Sequence, residues 1–285
     1  DLTNWTASVQ LPTIPYVLTW DGTKYWAFGY AGRVANSTDA VNWTQLPNNN
    51  LAIPQPADCV WFNNRFIVGG QNSIASSADG ANWTTHVSSL YYYVGDIQAG
   101  GSTLIAVGSY LAGTTTNFFR STDGINWTPI AAPATAGGYQ AITYGNGRWL
   151  ALNYNGATYS STDNGDSWQY IGGLSGGPTT YYRSLGYRPS DNRFFCGWLN
   201  GNIYSSTNNG TNWFNHKEGF DGSVTMIAEG GGHVVGVGNS GGGPGSIYTS
   251  VDGSRWASNN TGFADNFISL RYLNGAFLAY SVSPT

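Results

Sequence analysis

A short motif recurs through the whole chain at nearly constant spacing. Each copy has a Ser, an Asp or Asn two residues later, and a Trp at its end. The copies are Ser37–Trp43, Ser77–Trp83, Ser121–Trp127, Ser161–Trp168, Ser206–Trp213 and Ser250–Trp256. The first residues, which end at Trp5, look like a seventh copy without its front half. From Trp5 onward, the Trp residues of successive copies are 38 to 45 positions apart, and a period of this length built from short strands is typical of propeller blades.

Each repeat carries the pattern of four short strands. In the unit around position 150 the strand segments are 140–144, 148–152, 157–160 and 168–171. A hairpin turn at Gly145–Gly147 joins the first two, and Asn155-Gly156 precedes the third. Four antiparallel strands per repeat form a blade. We therefore predict an all-β protein, a seven-bladed β-propeller of four-stranded antiparallel blades.

The repeats leave no room for a second domain, so residues 1–285 are predicted to form a single propeller. The predicted blades are 14–49, 50–89, 90–134, 135–174, 175–218, 219–261, and 262–285 completed by 1–13. The segment after Trp5 has a strand pattern but no blade of its own. Pairing it with the C-terminal strands would close the ring and protect both sheet edges.

The composition excludes several classes of function. Only 9% of the residues are charged and the formal net charge is −4, whereas soluble domains carry about 25% charged residues. The basic residues never cluster, so we expect no nucleic-acid partner. No run of 18 apolar residues occurs, so we expect no insertion into a membrane. The scarcity of Lys and Glu, with many Ser, Thr, Asn, Gly and aromatic residues, favours an extracellular or particle-surface location.

The recurring motif resembles the Asp-box, or bacterial neuraminidase repeat, written Ser-x-Asp-x-Gly-x-x-Trp. Ala40 replaces the usual Gly in one copy, and Asn208 replaces the usual Asp in another. Within that family the box is a folding device between the third and fourth strands of a blade, with its Trp packed between blades. An Asp or Asn side chain can accept hydrogen bonds from nearby backbone N–H groups, and Gly supplies a left-handed position. We therefore assign structural roles to Asp39, Asp79, Asp123, Asp163, Asn208, Asp252, Trp43, Trp83, Trp127, Trp168, Trp213 and Trp256.

The resemblance raises the question of sialidase chemistry. In the family that chemistry uses three Arg residues, a Tyr–Glu nucleophile pair and an Asp acid/base, on six blades. Here the only glutamates are Glu218 and Glu229, and several Arg residues recur at one repeat position. The three His residues are scattered, with none paired at metal-ligand spacing. We therefore expect no catalytic residue, no metal, no cofactor and no enzymatic activity.

The topology predicts that the variable loops and the motif turns lie at opposite ends of the strands. In a four-stranded meander the loops between strands 2 and 3 share one face with the connections between blades, and loops are where function usually resides. That face is rich in aromatic residues. Candidate ligand-binding residues are Tyr30, Tyr91, Tyr92, Tyr93, Tyr110, Tyr154, Tyr181, Tyr182 and Trp198.

Aromatic rings beside side-chain amides, with little charge, suit neutral sugars. The leading interpretation is therefore a non-enzymatic recognition module that binds neutral glycans, similar to seven-bladed propeller lectins and to adhesin domains of phage fibres. The same residues suit a flat protein contact. The alternative is a structural or protein-docking propeller of a virion, a tail fibre or an assembly complex, similar to the Asp-box propellers of photosystem biogenesis. The sequence leaves the ligand and the oligomeric state open.

Overall fold

The structure is a computed structural model that describes residues 5, 11, 14–47, 49–110, 116–131, 133, 138–174, 182–198, 201–216, 223–238, 245–260 and 266–282. Regular structure in these residues is almost entirely β-strand; the two helical segments are short 3-10 turns at Tyr30–Gly32 and Pro189–Asp191. Within the same residues, no helix is long and apolar enough to cross a membrane. The all-β prediction is confirmed.

Four sheets are four-stranded antiparallel meanders whose strands are neighbours in chain order. The first contains β1 (Pro15–Trp20), β2 (Tyr25–Gly29), β3 (Val34–Ser37) and β4 (Thr44–Gln45). Another contains β11 (Tyr139–Gly145), β12 (Arg148–Asn153), β13 (Ala157–Ser161) and β14 (Gln169–Gly173). The next contains β15 (Tyr182–Arg188), β16 (Arg193–Trp198), β17 (Ile203–Ser206) and β18 (Phe214–Asn215). The last of these contains β19 (Met226–Gly230), β20 (His233–Gly238), β21 (Ser246–Ser250) and β22 (Ala257–Asn260).

A six-stranded sheet joins two further meanders. Its strands are β5 (Pro56–Phe62), β6 (Arg65–Ser77), β7 (Thr84–Gly100), β8 (Thr103–Tyr110), β9 (Thr116–Ser121) and β10 (Thr128–Ala131). Arg65 Nη1 lies 3.5 Å from Ser76 Oγ, although eleven residues of straight strand would separate the two by about 36 Å. The backbone of β6 therefore folds back at Asn72, whose φ is +66°. The first part of β7 pairs with β6, and its second part pairs with β8 and begins the next meander.

The first strands of successive meanders stand side by side around a common centre. Contacts join β1 to β5, β5 to β7, β7 to β11, β11 to β15 and β15 to β19. They continue from β19 to β23 (Asn266–Leu273), which contacts β1 in turn and forms a two-stranded sheet with β24 (Ala276–Val282). The sheets are thus arranged like the blades of a propeller, with the first strand of each innermost.

The core lies between neighbouring sheets. The second strands are buried along most of their length and are continuous apolar runs, as expected for strands covered on both faces. Between the first two meanders, for example, the ring centroid of Phe28 lies 5.7 Å from that of Phe66 and 5.5 Å from that of Trp83. Each motif Trp therefore adds apolar area to a boundary between sheets.

Two finer predictions about the fold stay predictions: that the propeller has seven blades, and that pairing of the two chain ends closes the ring. Among the described residues no hydrogen-bonded pairing joins the first sheet to the last. The segment 1–13, which is predicted to complete the last blade, lies outside those residues except for Trp5 and Leu11. Trp5 packs against the core around Phe267, and Leu11 packs beside Leu278.

Candidate functional site

The motif turns and the hairpins between strands 1 and 2 share one end of the strands, which we call the turn face. Asn63 Nδ2, in one such hairpin, donates to the Thr122 carbonyl oxygen in a motif turn at 3.4 Å. Asn146 Nδ2 donates to Asn209 Oδ1 in the same way at 2.8 Å. The opposite end carries the loops between strands 2 and 3 and the connections between sheets, and we call it the loop face.

Each motif turn is closed by its own carboxylate or amide. Asp123 Oδ1 accepts hydrogen bonds from the backbone N–H groups of Ile125 and Asn126, both at 2.8 Å, and from Ser121 Oγ at 3.0 Å. These hydrogen bonds favour the ionised form and hold the pKa of Asp123 well below its ordinary value. Similar bonds hold the other acceptors, which are Asp39, Asp79, Asp163, Asn208 and Asp252.

The motif turns also join neighbouring sheets. Gly124 has φ +75°, and a Cβ at this position would lie 2.4 Å from Cδ1 of Ile67 in the preceding meander. The same close approach recurs at Gly80, Gly165, Gly210 and Gly253, each facing the second strand of the meander before it. The indole N–H of Trp127 donates to the Gly124 carbonyl oxygen at 3.3 Å, and Trp43, Trp83 and Trp168 repeat this bond. Trp213 instead donates to Thr158 Oγ1, and Trp256 packs beside Phe195.

The structure separates the predicted ligand-binding aromatic residues into different environments. Tyr30 is 57% exposed on the loop face, whereas Tyr93 and Tyr154 are half-buried. Tyr181 lies outside the described residues, and only the backbone is described for Tyr91, Tyr92, Tyr110 and Tyr182.

The prediction that Trp198 contacts a ligand at the surface is wrong. Its side chain is fully buried in the core with Leu152, Cys196 and Tyr204. Trp198 is the last residue of β16; its backbone N–H donates to the Asn202 carbonyl oxygen at 3.0 Å, and its carbonyl oxygen accepts from the Gly201 N–H at 3.1 Å. The large apolar side chain therefore fills a boundary between sheets, where its burial is most favourable.

A polar cluster that the sequence analysis did not identify lies among the innermost strands. Asp58 and Asp96 follow bulges at matching points of two successive inner strands, near the loop face. Asp58 is buried, and its Oδ2 accepts a hydrogen bond from the Ile97 N–H at 3.1 Å. Asp96 Oδ2 accepts from the Ile142 N–H at 2.9 Å in the same geometry. Each carboxyl group therefore bonds the inner strand of the next meander.

Arg271 completes this cluster from the last sheet. Its guanidinium forms an ion pair with Asp58, and the carboxyl groups of Asp58 and Asp96 interact directly. Burial raises the pKa of Asp96 well above its ordinary value, and the neighbouring Asp58 raises it further. The cluster thus holds two carboxyl groups and one guanidinium.

One signal in the sequence could have identified this cluster. Asp58 and Asp96 each open a strand segment at the same repeat position, Asp58-Cys-Val-Trp and Asp96-Ile-Gln-Ala. A charged residue at an inner-strand position needs a partner, and Arg271 is the basic residue within an inner strand of the last repeat. No group of three or more His, Cys, Asp or Glu in the described part of the chain could hold a metal ion.

No protein-family model and no curated protein matches this chain. Solved structures are similar in fold. YCF48 from Cyanidioschyzon merolae has a TM-score of 0.72 at 15% identity over 96% of each chain, and YCF48 also matches in a structure bound to D1 peptide. Catalytically inactive virginiamycin B lyase from Staphylococcus aureus with quinupristin has a TM-score of 0.76 at 14% identity over 94% of this chain and 92% of that chain. A nidogen/laminin complex matches with a TM-score of 0.56 at 9% identity over 76% of this chain and 85% of that chain.

These comparisons show that the chain has a β-propeller fold. They also correct the prediction that it is not an enzyme, because propellers of similar fold include lyases, a class that the sequence analysis did not consider. Virginiamycin B lyase, and a streptogramin B lyase with a TM-score of 0.76 at 11% identity, are propeller enzymes of similar strand arrangement. The absence of sialidase residues therefore does not exclude catalysis in this fold.

Proposed function

We propose that this chain is a binding propeller that docks a protein or peptide partner on its loop face. Two of the structures that share its fold support this proposal, since one is YCF48 bound to D1 peptide and another belongs to a nidogen/laminin complex. The observation that carries the proposal lies in this chain itself. Tyr30 and Ile14, two large side chains of the loop face, are more than half exposed and lie on a backbone that two sheets hold in place.

Charge is distributed unequally between the two faces. Most described charged residues are on the turn face, where they close turns or bridge sheets. Arg188, for example, binds Asp191 with two of its nitrogens and also donates to the carbonyl oxygens of Val251 and Asp252. The described part of the loop face has few charges and carries the exposed ring of Tyr30, and this composition suits the centre of a protein interface. This unequal distribution supports docking on the loop face.

We also propose the finer features of the fold. The cyclic contacts of the innermost strands support seven blades, and the packing of Trp5 and Leu11 against the last sheet supports its completion by 1–13. The hydrogen bonds of the motif turns support their assignment as Asp-boxes. An extracellular or particle-surface location is proposed from composition.

The proposal is tested with a random peptide library displayed on phage and selected on the immobilised full-length protein. Enriched peptides are then measured against Tyr30→Ser and against Tyr170→Ser, a matched control because Tyr170 is 64% exposed on the outer strand β14. We expect Tyr30→Ser to weaken binding at least about tenfold, the loss typical of an interface aromatic, and Tyr170→Ser to leave it unchanged. Equal binding by both variants, or binding of neutral glycans on an array with no peptide enriched, would contradict protein docking.

A lyase-type activity is a second candidate. It is supported by the fold shared with virginiamycin B lyase and by Asp96, a carboxyl group whose pKa is raised by burial and by the neighbouring Asp58. Elimination needs a group that can give or take a proton near neutral pH. The test is incubation of the protein with virginiamycin B, followed by mass spectrometry. Product formed by the wild type but not by Asp96→Asn would support this candidate, and no product from the wild type would contradict it.

A further inference from the structure

Four exposed residues of the loop face lie on backbone segments that are hydrogen-bonded to one another, where the first two meanders meet. They are Ile14, Tyr30, Arg33 and Pro54, which we call the first-sheet platform. The Tyr30 N–H donates to the Ile14 carbonyl oxygen at 3.1 Å, and the Ala31 N–H donates to the Pro54 carbonyl oxygen at 2.8 Å. The short turn after β2 is thus hydrogen-bonded both to the segment that precedes β1 and to the segment that precedes β5.

The backbone of this turn is fixed in an unusual conformation. Ala31 has φ +58°, a left-handed value that costs a non-glycine residue on the order of 1 kcal/mol. Gly32 follows with φ +69°, and a Cβ there would lie 2.2 Å from the Leu51 carbonyl oxygen. Arg33 closes the turn, because its carbonyl oxygen accepts the Gly29 N–H at 2.9 Å. Such strain persists only where surrounding contacts determine the conformation, and it is concentrated at functional sites.

The side chains on this rigid turn point to a definite ligand chemistry. Tyr30 and Ile14 are 57% and 52% exposed and offer apolar surface that loses little conformational entropy on binding. Arg33 is exposed, and no described carboxylate forms an ion pair with it, unlike Arg120, Arg188, Arg193 and Arg271. Its guanidinium therefore has its donors available for a carboxylate, which it can bind with two parallel hydrogen bonds.

We infer that the first-sheet platform docks an extended peptide segment in which a carboxylate neighbours an apolar side chain. The apolar side chain covers Tyr30 and Ile14, and the carboxylate pairs with Arg33. This inference rests on the proposed function, because it names the chemistry of the partner on the same loop face. It adds that recognition is electrostatic as well as apolar, and that it is centred on the first sheet.

The test uses peptides enriched from the phage library, synthesised with each Asp or Glu and again with the matching Asn or Gln. Binding is measured by fluorescence polarisation at low salt to the wild type, to Arg33→Gln and to Arg255→Gln. Arg255 is a matched control because it is an exposed arginine of the turn face. We expect at least a tenfold loss for Arg33→Gln and for the amide peptide, no further loss when the two are combined, and no change for Arg255→Gln.

Two outcomes overturn this inference. In one, the enriched peptides lack a carboxylate; in the other, Arg33→Gln binds the acidic peptides as tightly as Arg255→Gln does. The proposed function fails separately, when no peptide depends on Tyr30. Peptides that need Tyr30 but not Arg33 would therefore retain docking on the loop face and reject the acidic partner. The melting temperatures of both Arg variants, measured beside the wild type, show that the fold is intact.

Discussion

Arg271 of the last sheet forms an ion pair with Asp58 of the second meander, 213 residues earlier in the chain. The first sheet lies between them, since β1 contacts both β5 and β23. The pair therefore links the last sheet to the second meander across the first sheet. Asp58 is buried while Arg271 is partly exposed, so the carboxylate is the partner that depends more on the pair.

The first prediction concerns this ion pair. Arg271→Met leaves the Asp58 carboxylate buried without its counter-charge, and losses from broken buried pairs are on the order of 3 kcal/mol. We expect a decrease of this size in the free energy of unfolding, measured in urea. Adding Asp58→Asn to Arg271→Met should recover part of the loss, because the neutral amide has no charge to compensate. A change below about 0.5 kcal/mol for Arg271→Met would show that the pair does not stabilise the ring.

The second prediction concerns Asp96. Its pKa is raised in the folded protein above the ordinary value of 3.8. At a pH between these two values, the folded state therefore binds more protons at this group than the unfolded state does. Stability contributed by this group is therefore lost as pH rises through that window. Asp96→Asn keeps an acceptor for the Ile142 N–H and cannot ionise. We expect its melting temperature to exceed that of the wild type at neutral and alkaline pH, and the difference to vanish near pH 3.8. A constant difference across the pH range would contradict the assignment of the proton to Asp96.

The third prediction separates backbone strain from packing in the motif turns. Gly124 and Gly147 have nearly equal φ values, +75° and +72°. A Cβ added at Gly124 would clash with Ile67, whereas a Cβ added at Gly147 would have no neighbouring heavy atom within 4 Å. Alanine at either position incurs the left-handed penalty. We expect Gly124→Ala to lower the free energy of unfolding by about 1 kcal/mol more than Gly147→Ala, because of overpacking. Ile67→Val should reduce that excess in a double-mutant cycle, and equal losses would show that the turn does not press on the preceding sheet.

The fourth prediction concerns the motif carboxylates at low pH. Their pKa values are lowered in the folded protein, to about 2 at Asp163 and Asp252. The stability they contribute is present above the ordinary value of 3.8 and is lost as pH falls below it. Asp123→Ala should cost about 1 kcal/mol at pH 7, as loss of a capping side chain does. Asp123→Asn should cost less, because Asn208 naturally fills the same role with Oδ1 accepting from Ser206 and Asn212.

The acid-unfolding midpoint measures the ionisation directly. In Asp123→Asn one fewer group takes up a proton on unfolding, so the free energy of unfolding should fall less steeply between pH 4 and pH 2. An unchanged slope would mean that the Asp123 carboxylate is not ionised preferentially in the folded state. Circular dichroism against pH, with Asp123→Ala in parallel, provides the comparison.

The repeat by itself determined the fold class, the four-stranded units and the end of the strands that carries each motif turn. It could do so because these features are local, since a turn is closed by its own Asp and Ser, and strands adjacent in the chain pair with each other. Gly124 and Ile67 show the limit of that reasoning. The sequence predicts a left-handed glycine, but only the packed sheets reveal that the next meander's turn presses on the strand before it.

Tertiary structure alone decided the roles of the residues that interact over long distances. Trp198 and Tyr30 have similar repeat positions and similar chemistry, yet one is buried in the core and the other is exposed, because burial depends on how neighbouring sheets cover each loop. Asp58, Asp96 and Arg271 meet only because the ring brings three distant inner strands to one point. Contacts of this kind depend on the three-dimensional path of the chain, which the spacing of a motif does not specify.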